Sequence, residues 1–210
     1  MITNYDVAFE KVKNDLCDGT KLLLHVCCAP CATYCLTRVL DKFDVTLYYS
    51  NDNITDKTEW QKRLDEVQKL VDGVNNGQFE IAPKYPLKLV VQPFDNGKFF
   101  AVAKGYEKER EGGLRCEQCF ILRLNDTLYY AKSHNFDYFG TTLTVSPYKN
   151  SQLINQIGLK LQQGVLWLPS DFKKHNGYNE SVRLSQKYDL YRQHYCGCVF
   201  GLQNMQQADE

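Results

Sequence analysis

The chain has 210 residues, 43% of them apolar, which is enough to bury one sizeable core and close to the usual length of one domain. Its 25 basic residues balance 25 acidic ones, so a global positive field is excluded and any nucleic-acid contact must come from a local basic surface. No stretch approaches the roughly 18 consecutive apolar residues of a membrane span, and the first twenty residues mix charge with apolar positions, unlike a secretory leader, so a cytoplasmic protein with reduced thiols is expected.

In chain order, residues 21–26 form a short apolar run that ends directly in Cys27, Cys28 and Cys31 of HVCCAPC. Tyr34, Leu36, Val39 and Leu40 then recur at helical spacing, and Pro30 suits a helix start, so the segment reads as strand, loop, helix. Residues 43–49 alternate as a strand. Residues 57–71 are helical, with Trp60, Leu64, Val67, Leu70 and Val71 on one face, and residues 87–91 are a strand. Phe120, Leu124, Leu128 and Ala131 predict a helix over 116–133, followed by a strand at 136–139 and a helix at 152–162. Residues 72–84 and 107–115, rich in Gly, Asn and charge, read as exposed loops, and the last ten residues as a polar, frayed end.

Repeated alternation of strand and helix implies an α/β fold, one domain with a parallel sheet covered by helices on both faces. Ligands of such sheets gather at the carboxyl ends of strands, and the first strand ends at the cysteines. The cysteine loop takes the place where a nucleotide-binding protein would put glycines.

Three cysteine groups stand out: Cys27, Cys28 and Cys31; Cys116 and Cys119 in GGLRCEQCF; and Cys196 and Cys198 in YCGCVFGL. Thiolates at helix starts have lowered pKa and are soft ligands, so both C-x-x-C segments suit a metal. One reading is a structural zinc on Cys28, Cys31, Cys116 and Cys119. Zinc ribbons separate their pairs by a short loop, whereas several elements intervene here, and zinc leaves Cys27, Cys196 and Cys198 without a role. An iron–sulfur cluster uses more of the set. A disulfide across Gly197 would close a very small, strained ring, which suits a redox relay, although two further ligands or two reduced thiols also fit the spacing. Cys17 and Cys35 lack partner spacing and read as small buried hydrophobes.

Seven segments, LLLHVCCAPC, YYSNDNI, EGGLRCEQCF, FGTTLTVSPYKN, PSDFKK, GYNESVRLS and LYRQHYCGCVF, together resemble the ordered motifs of the QueH family of epoxyqueuosine reductases over residues 21–202. The resemblance implies an oxidoreductase that reduces epoxyqueuosine at the wobble position of tRNA to queuosine, on a fold similar to the adenine nucleotide α-hydrolase-like (HUP-like) domain. It further implies a [4Fe-4S] cluster on Cys27, Cys28, Cys116 and Cys119, with Cys196 and Cys198 as the redox-active pair. Cys31 matches the motif without an assigned role.

Successive side chains diverge from an extended backbone, which makes two adjacent ligands of one cubane awkward. The alternative places a mononuclear iron beside the cluster, with Asp171 or Asp95 as an oxygen ligand. An iron with an open position would polarise the epoxide, and an external electron donor would recharge the Cys196/Cys198 pair. Candidate proton donors near the motifs are Asp171, His25, Tyr178 and His194, each of which equally suits a packing role. Lys173, Lys174, Arg183, Lys187 and Arg192 interleave with Phe172, Tyr178, Tyr188, Tyr191 and Tyr195, which fits either tRNA contact or a solvated helix face. A cluster-dependent tRNA thiolase and a zinc-stabilised RNA-binding module are the competing functions.

Overall fold

Five strands, β1 (Thr20–His25), β2 (Phe43–Tyr49), β3 (Lys88–Val91), β4 (Tyr138–Thr141) and β5 (Leu166–Trp167), form one sheet in the order β3-β2-β1-β4-β5. All pairings are parallel. This is a computed structural model, and it describes residues 3–202. Seven helices join the strands: α1 (Tyr5–Asp15), α2 (Ala29–Val39), α3 (Lys57–Asn75), α4 (Gly97–Ala103), α5 (Leu114–Ser133), α6 (Ser151–Leu161) and α7 (Gly177–Lys187).

The central strand is apolar on both faces because both are covered. Leu22 and Leu24 of β1 point, with Val45 and Leu47 of β2, into a core closed by Leu36 and Val39 of α2, Val67 and Leu70 of α3 and Leu184 of α7. Leu23 of β1 and Phe139 of β4 point the other way, onto Leu124 and Leu128 of α5 and Ile154 and Ile157 of α6. The expected parallel α/β sheet with helices on both faces is therefore present.

Several expected boundaries move. The strand read at 136–139 is β4, two residues later; Asp137 leads into it, its amide donating to the Lys21 carbonyl at 3.1 Å and its carboxylate accepting from the Lys21 amide at 2.8 Å. Helix α3 extends through 72–75 of the expected loop, and α5 starts at Leu114, inside the other expected loop. Arg115 is not exposed but buried, since its guanidinium folds back onto the carbonyls of Tyr106, Glu107 and Glu109 and satisfies a turn that would otherwise strand them. Of the expected frayed end, Gly201 and Leu202 are helical, and residues 203–210 lie outside the described residues. Periodicity did not mark α1, α4 or the two-residue β5, which are short or weakly amphipathic.

Topology places the functional edge. Strand order reverses between β1 and β4, whose carboxyl ends face a common crevice. From β1 the chain bends at Cys27 and enters α2 with Cys28 at the N-cap and Pro30 in the first turn. From β4 it enters a 3-10 turn, Thr142–Val145.

Gly158 on α6 lies flat against Trp167 of β5, where an added Cβ would come within 2.2 Å of the indole. Helix propensity alone favours Gly158→Ala by about 1 kcal/mol, but overpacking against the indole should reverse the sign. We expect Gly158→Ala to lower the unfolding free energy in urea titration by about 1–3 kcal/mol.

Candidate redox and metal site

The three cysteine groups meet at the crevice. A cavity of about 440 Å³ is lined by Cys27, Cys31 and Cys196, with Arg63, Arg123, Lys149 and Arg192 on its walls. A second, smaller cavity is lined by Cys116, Cys119, Cys196 and Cys198. Cys196, Glu111, Tyr148 and Lys149 belong to both. All nine cysteines are free thiols.

The Cys27 and Cys28 sulfurs lie 3.8 Å apart, and with Cys31 all three lie within 4.8 Å of one another. The expected divergence of adjacent side chains is therefore overturned, because the chain bends at Cys27 and strand alternation stops there. Cys31 is the third member of this group. Hydrogen bonds from Cys28 and Cys31 hold the Cys27 thiol well below its ordinary pKa, against the effect of burial. Burial first, and then the Cys27 thiolate, push Cys28 up to about 12. Within the trio, Cys27 is thus the thiol most readily ionised.

The same division recurs at the C-x-C pair. A hydrogen bond from Cys198 keeps Cys196 well below the usual thiol value despite burial, and the charges of Lys149 and Arg123 help. Cys198 is raised, by that same hydrogen bond and by burial. Cys119 is pushed up to about 12 by burial, partly opposed by Arg123.

Two buried arginines organise these thiols. Arg123 of α5 donates to His25 Nε2 at 3.2 Å and to Asn51 Oδ1 at 2.7 Å, and Asn51 in turn donates to the Val26 carbonyl at 2.9 Å. His25 is fully buried; burial first, and then Arg123, lower its pKa to about 3, so its ring is neutral. Its Nδ1 lies 2.9 Å from Thr141 Oγ1, and its Nε2 lies 3.2 Å from the Ser50 carbonyl as well as from Arg123, so the ring is held on both edges. Arg63 of α3 pairs with Glu59 at 2.6 Å and donates to the carbonyls of Tyr195 and Cys196, each at 3.2 Å. That clamp fixes the C-terminal cysteine loop over the crevice.

Six thiols on adjoining cavities, with Cys28 behind them 3.8 Å from Cys27 and buried cations alongside, are a donor set fitted to a soft, thiolate-bound metal group. Three N–H groups already aim at sulfur, Gln193 Nε2 at Cys28 (2.9 Å), the Gly112 amide at Cys116 (3.2 Å) and the Gly201 amide at Cys198 (3.3 Å).

The other expected site residues are placed differently. Asp171 lines neither cavity; its carboxylate lies 3.2 Å from Lys173, itself bonded to the carbonyls of Thr144 and Lys149. Asp95 caps the Gly97 amide and lines a third cavity. His25 is sealed beneath the floor, whereas Tyr178 and His194 line the first cavity. The basic cluster is largely paired: Arg183 with Glu180, Lys187 with Glu80, and Lys173 with Asp171. Phe172 is buried and Tyr188 stacks on Phe79. Of the five cations Arg192, over the Tyr178 ring at 5.1 Å, lines the first cavity, as do Tyr178 and Tyr195 of the aromatics. Lys149 and Glu111 sit inside quoted motifs but escaped notice, because neither lies beside a cysteine in sequence. Cys35 is buried as expected, donating to the Cys31 carbonyl, whereas Cys17 is exposed in the turn after α1, where the chain is too short of cover to bury it.

A family model described as epoxyqueuosine reductase QueH matches residues 22–204. The chain belongs to the QueH family. An epoxyqueuosine reductase QueH of Staphylococcus epidermidis is 41% identical over 204 residues, covering 94% of this chain and 84% of the relative. That of Thermotoga maritima is 34% identical over 183 residues, covering 86% and 90%. That of Haemophilus influenzae is 31% identical over 201 residues, covering 93% and 78%. The family's name makes its members reductases, and among the described residues no helix is long and apolar enough to cross a membrane.

Asp52, in the family-like YYSNDNI segment, is buried beside the third cavity with Oδ2 unpartnered. Burial first, and then Asp126, raise its pKa to about 6, with Lys98 opposing. A carboxyl whose folded pKa is raised adds stability below its unfolded value near 4, and that stability is lost as pH rises through about 6. Between pH 5 and pH 8, the stability of Asp52→Asn should therefore rise relative to the parent by about 1 kcal/mol in urea titrations; an unchanged difference would refute the raised pKa.

Proposed function

We propose that this chain reduces epoxyqueuosine to queuosine at the wobble position of tRNA, the final step of queuosine formation. The observation that carries the reading is that Cys196 is shared by both cavities, which joins the C-x-C pair to the other two cysteine groups. The family to which the chain belongs supplies the substrate.

In this reading Cys27, Cys28, Cys116 and Cys119 hold a [4Fe-4S] cluster, and Cys196 with Cys198 forms the redox-active pair. When bound, such a cluster supplies electrons one at a time. Removing the epoxide oxygen takes two electrons and two protons and leaves an alkene and water. The pair, as thiolate and thiol, gives up two electrons and one proton in closing its disulfide; solvent supplies the second proton. An external dithiol or protein reductant then reopens the disulfide. Lys149 and Arg123 stabilise the Cys196 thiolate before the step. Asp171, outside both cavities, acts on the site through Lys173, which holds the turn bearing Lys149.

A cytoplasmic setting, with reduced thiols and tRNA at hand, goes with this function. A second reading has one observation in its favour: the mutual closeness of Cys27, Cys28 and Cys31 also suits a single ion such as zinc.

Anaerobic purification with metal and sulfide analysis, and assay on epoxyqueuosine-containing tRNA under a strong reductant, decides between them. The reductase should carry about four irons and four sulfides per chain and convert its substrate; zinc without sulfide and unchanged tRNA would return the chain to a zinc-stabilised module. Cys196→Ser should keep the cluster absorbance and lose multiple turnover, whereas loss of the absorbance would make Cys196 a ligand instead.

A further inference from the structure

We propose that Tyr148 is a stacking platform on which a base of the RNA substrate rests at the entrance to the cysteine cavities. The inference builds on the tRNA reading above and names a recognition residue for it.

Tyr148 is 77% exposed, the most exposed of the large hydrophobic side chains among the described residues. Yet it lines both cysteine cavities. A lone exposed ring is ordinary on a protein surface; what distinguishes this one is the charge of the cavity it borders. Tyr129, at 65% exposed, makes the contrast: it lines the third cavity, whose charged walls are Asp52, Asp95, Asp126 and Lys98. That surface repels phosphate. The cavity beside Tyr148 has Arg63, Arg123, Lys149 and Arg192 against Glu111. Arg63 is committed to Glu59 and Arg123 to His25 and Asn51, but Lys149 and Arg192 form no ion pair among the described residues. An exposed ring beside unpaired cations is the combination that binds single-stranded RNA, where bases stack and backbone phosphates meet charge.

The backbone that carries the ring is held in place. Its turn follows the 3-10 segment at the end of β4 and contains Pro147. The Ser146 amide donates to the Leu143 carbonyl at 3.2 Å, the Lys149 amide to the Ser146 carbonyl at 3.3 Å, and the Tyr148 amide to Ser146 Oγ at 3.3 Å. Lys173 braces the turn from behind through the Thr144 and Lys149 carbonyls. On the far side Asn150 caps α6 by accepting from the Leu153 amide at 3.1 Å. A platform fixed in this way loses little conformational freedom when a base lands on it. A cavity of about 440 Å³ beside it is within the size range of small-molecule sites. A wobble nucleotide unstacked from the anticodon loop would thus meet the Tyr148 ring on its way to the thiols.

The test measures binding of an anticodon stem-loop, with 2-aminopurine at the wobble position, to the parent protein, Tyr148→Ala and Tyr148→Phe. Stacking uses the ring face and not the hydroxyl. Tyr148→Ala should therefore raise Kd about 5- to 150-fold, while Tyr148→Phe stays within about twofold of the parent. Iron content and absorbance should not move in either variant. Unchanged affinity in Tyr148→Ala, equal loss in both variants, or absence of RNA binding by the parent would each overturn the proposal. Turnover of epoxyqueuosine tRNA, assayed separately, reports on the reductase reading: RNA binding that depends on the Tyr148 ring without turnover would sink that reading and leave this one standing.

Discussion

A guanidinium with no access to water sets the terms for this crevice. Arg123 rises from the middle of α5 into the junction of β1 and β2, and an unpaired charge there would cost several kcal/mol. Neutral His25, Asn51 and the ionised sulfurs of Cys27 and Cys196 together offset that cost. Each partner comes from a different segment, so the arginine joins the floor of the sheet, the α5 cysteines and the C-terminal loop in one electrostatic unit. Burial and the Arg123 charge both lower the pKa of His25, whereas at Cys27 and Cys196 hydrogen bonds from neighbouring thiols, helped by Arg123 and Lys149, outweigh burial.

The second clamp works from the opposite wall. Arg63 donates to the carbonyls of Tyr195 and Cys196 and lies over the Tyr195 ring at 5.3 Å, so it fixes the loop and leaves the Cys196 sulfur free. Gly197 follows with φ of 109°, a region that disfavours side chains, and its Cβ position would meet Ile54 and Arg63 within 2.9 and 3.2 Å. Spacing by a glycine is therefore required both by the turn and by the clamp. It lets Cys196 face both cavities while Cys198 packs beneath with Phe99.

In both cysteine groups a thiol held below its usual pKa neighbours one pushed above it. A thiolate is the better nucleophile and ligand, while its protonated neighbour keeps a proton within reach. Both groups use this arrangement, at Cys27 with Cys28 and Cys31, and at Cys196 with Cys198.

Much of the fold was legible in the sequence, since strand and helix periodicities depend on burial and each apolar run read from 21–26 to 152–162 sits in or beside an observed strand or helix. Cysteine spacing likewise announced a soft-ligand site, and the ordered motifs announced the family. What one dimension could not supply was convergence. Cys27, Cys116 and Cys196 are brought to one crevice by a parallel sheet whose order reverses between β1 and β4, and no local pattern encodes that meeting. Nor could composition separate cations that answer acids, such as Arg183 and Lys187, from Lys149 and Arg192, which face the cavity. Residue type and local periodicity determined the elements and the chemistry on offer; the packing of α3, α5 and the C-terminal loop decided which thiols share a charge, because electrostatic coupling depends on distance through the folded chain and not along it.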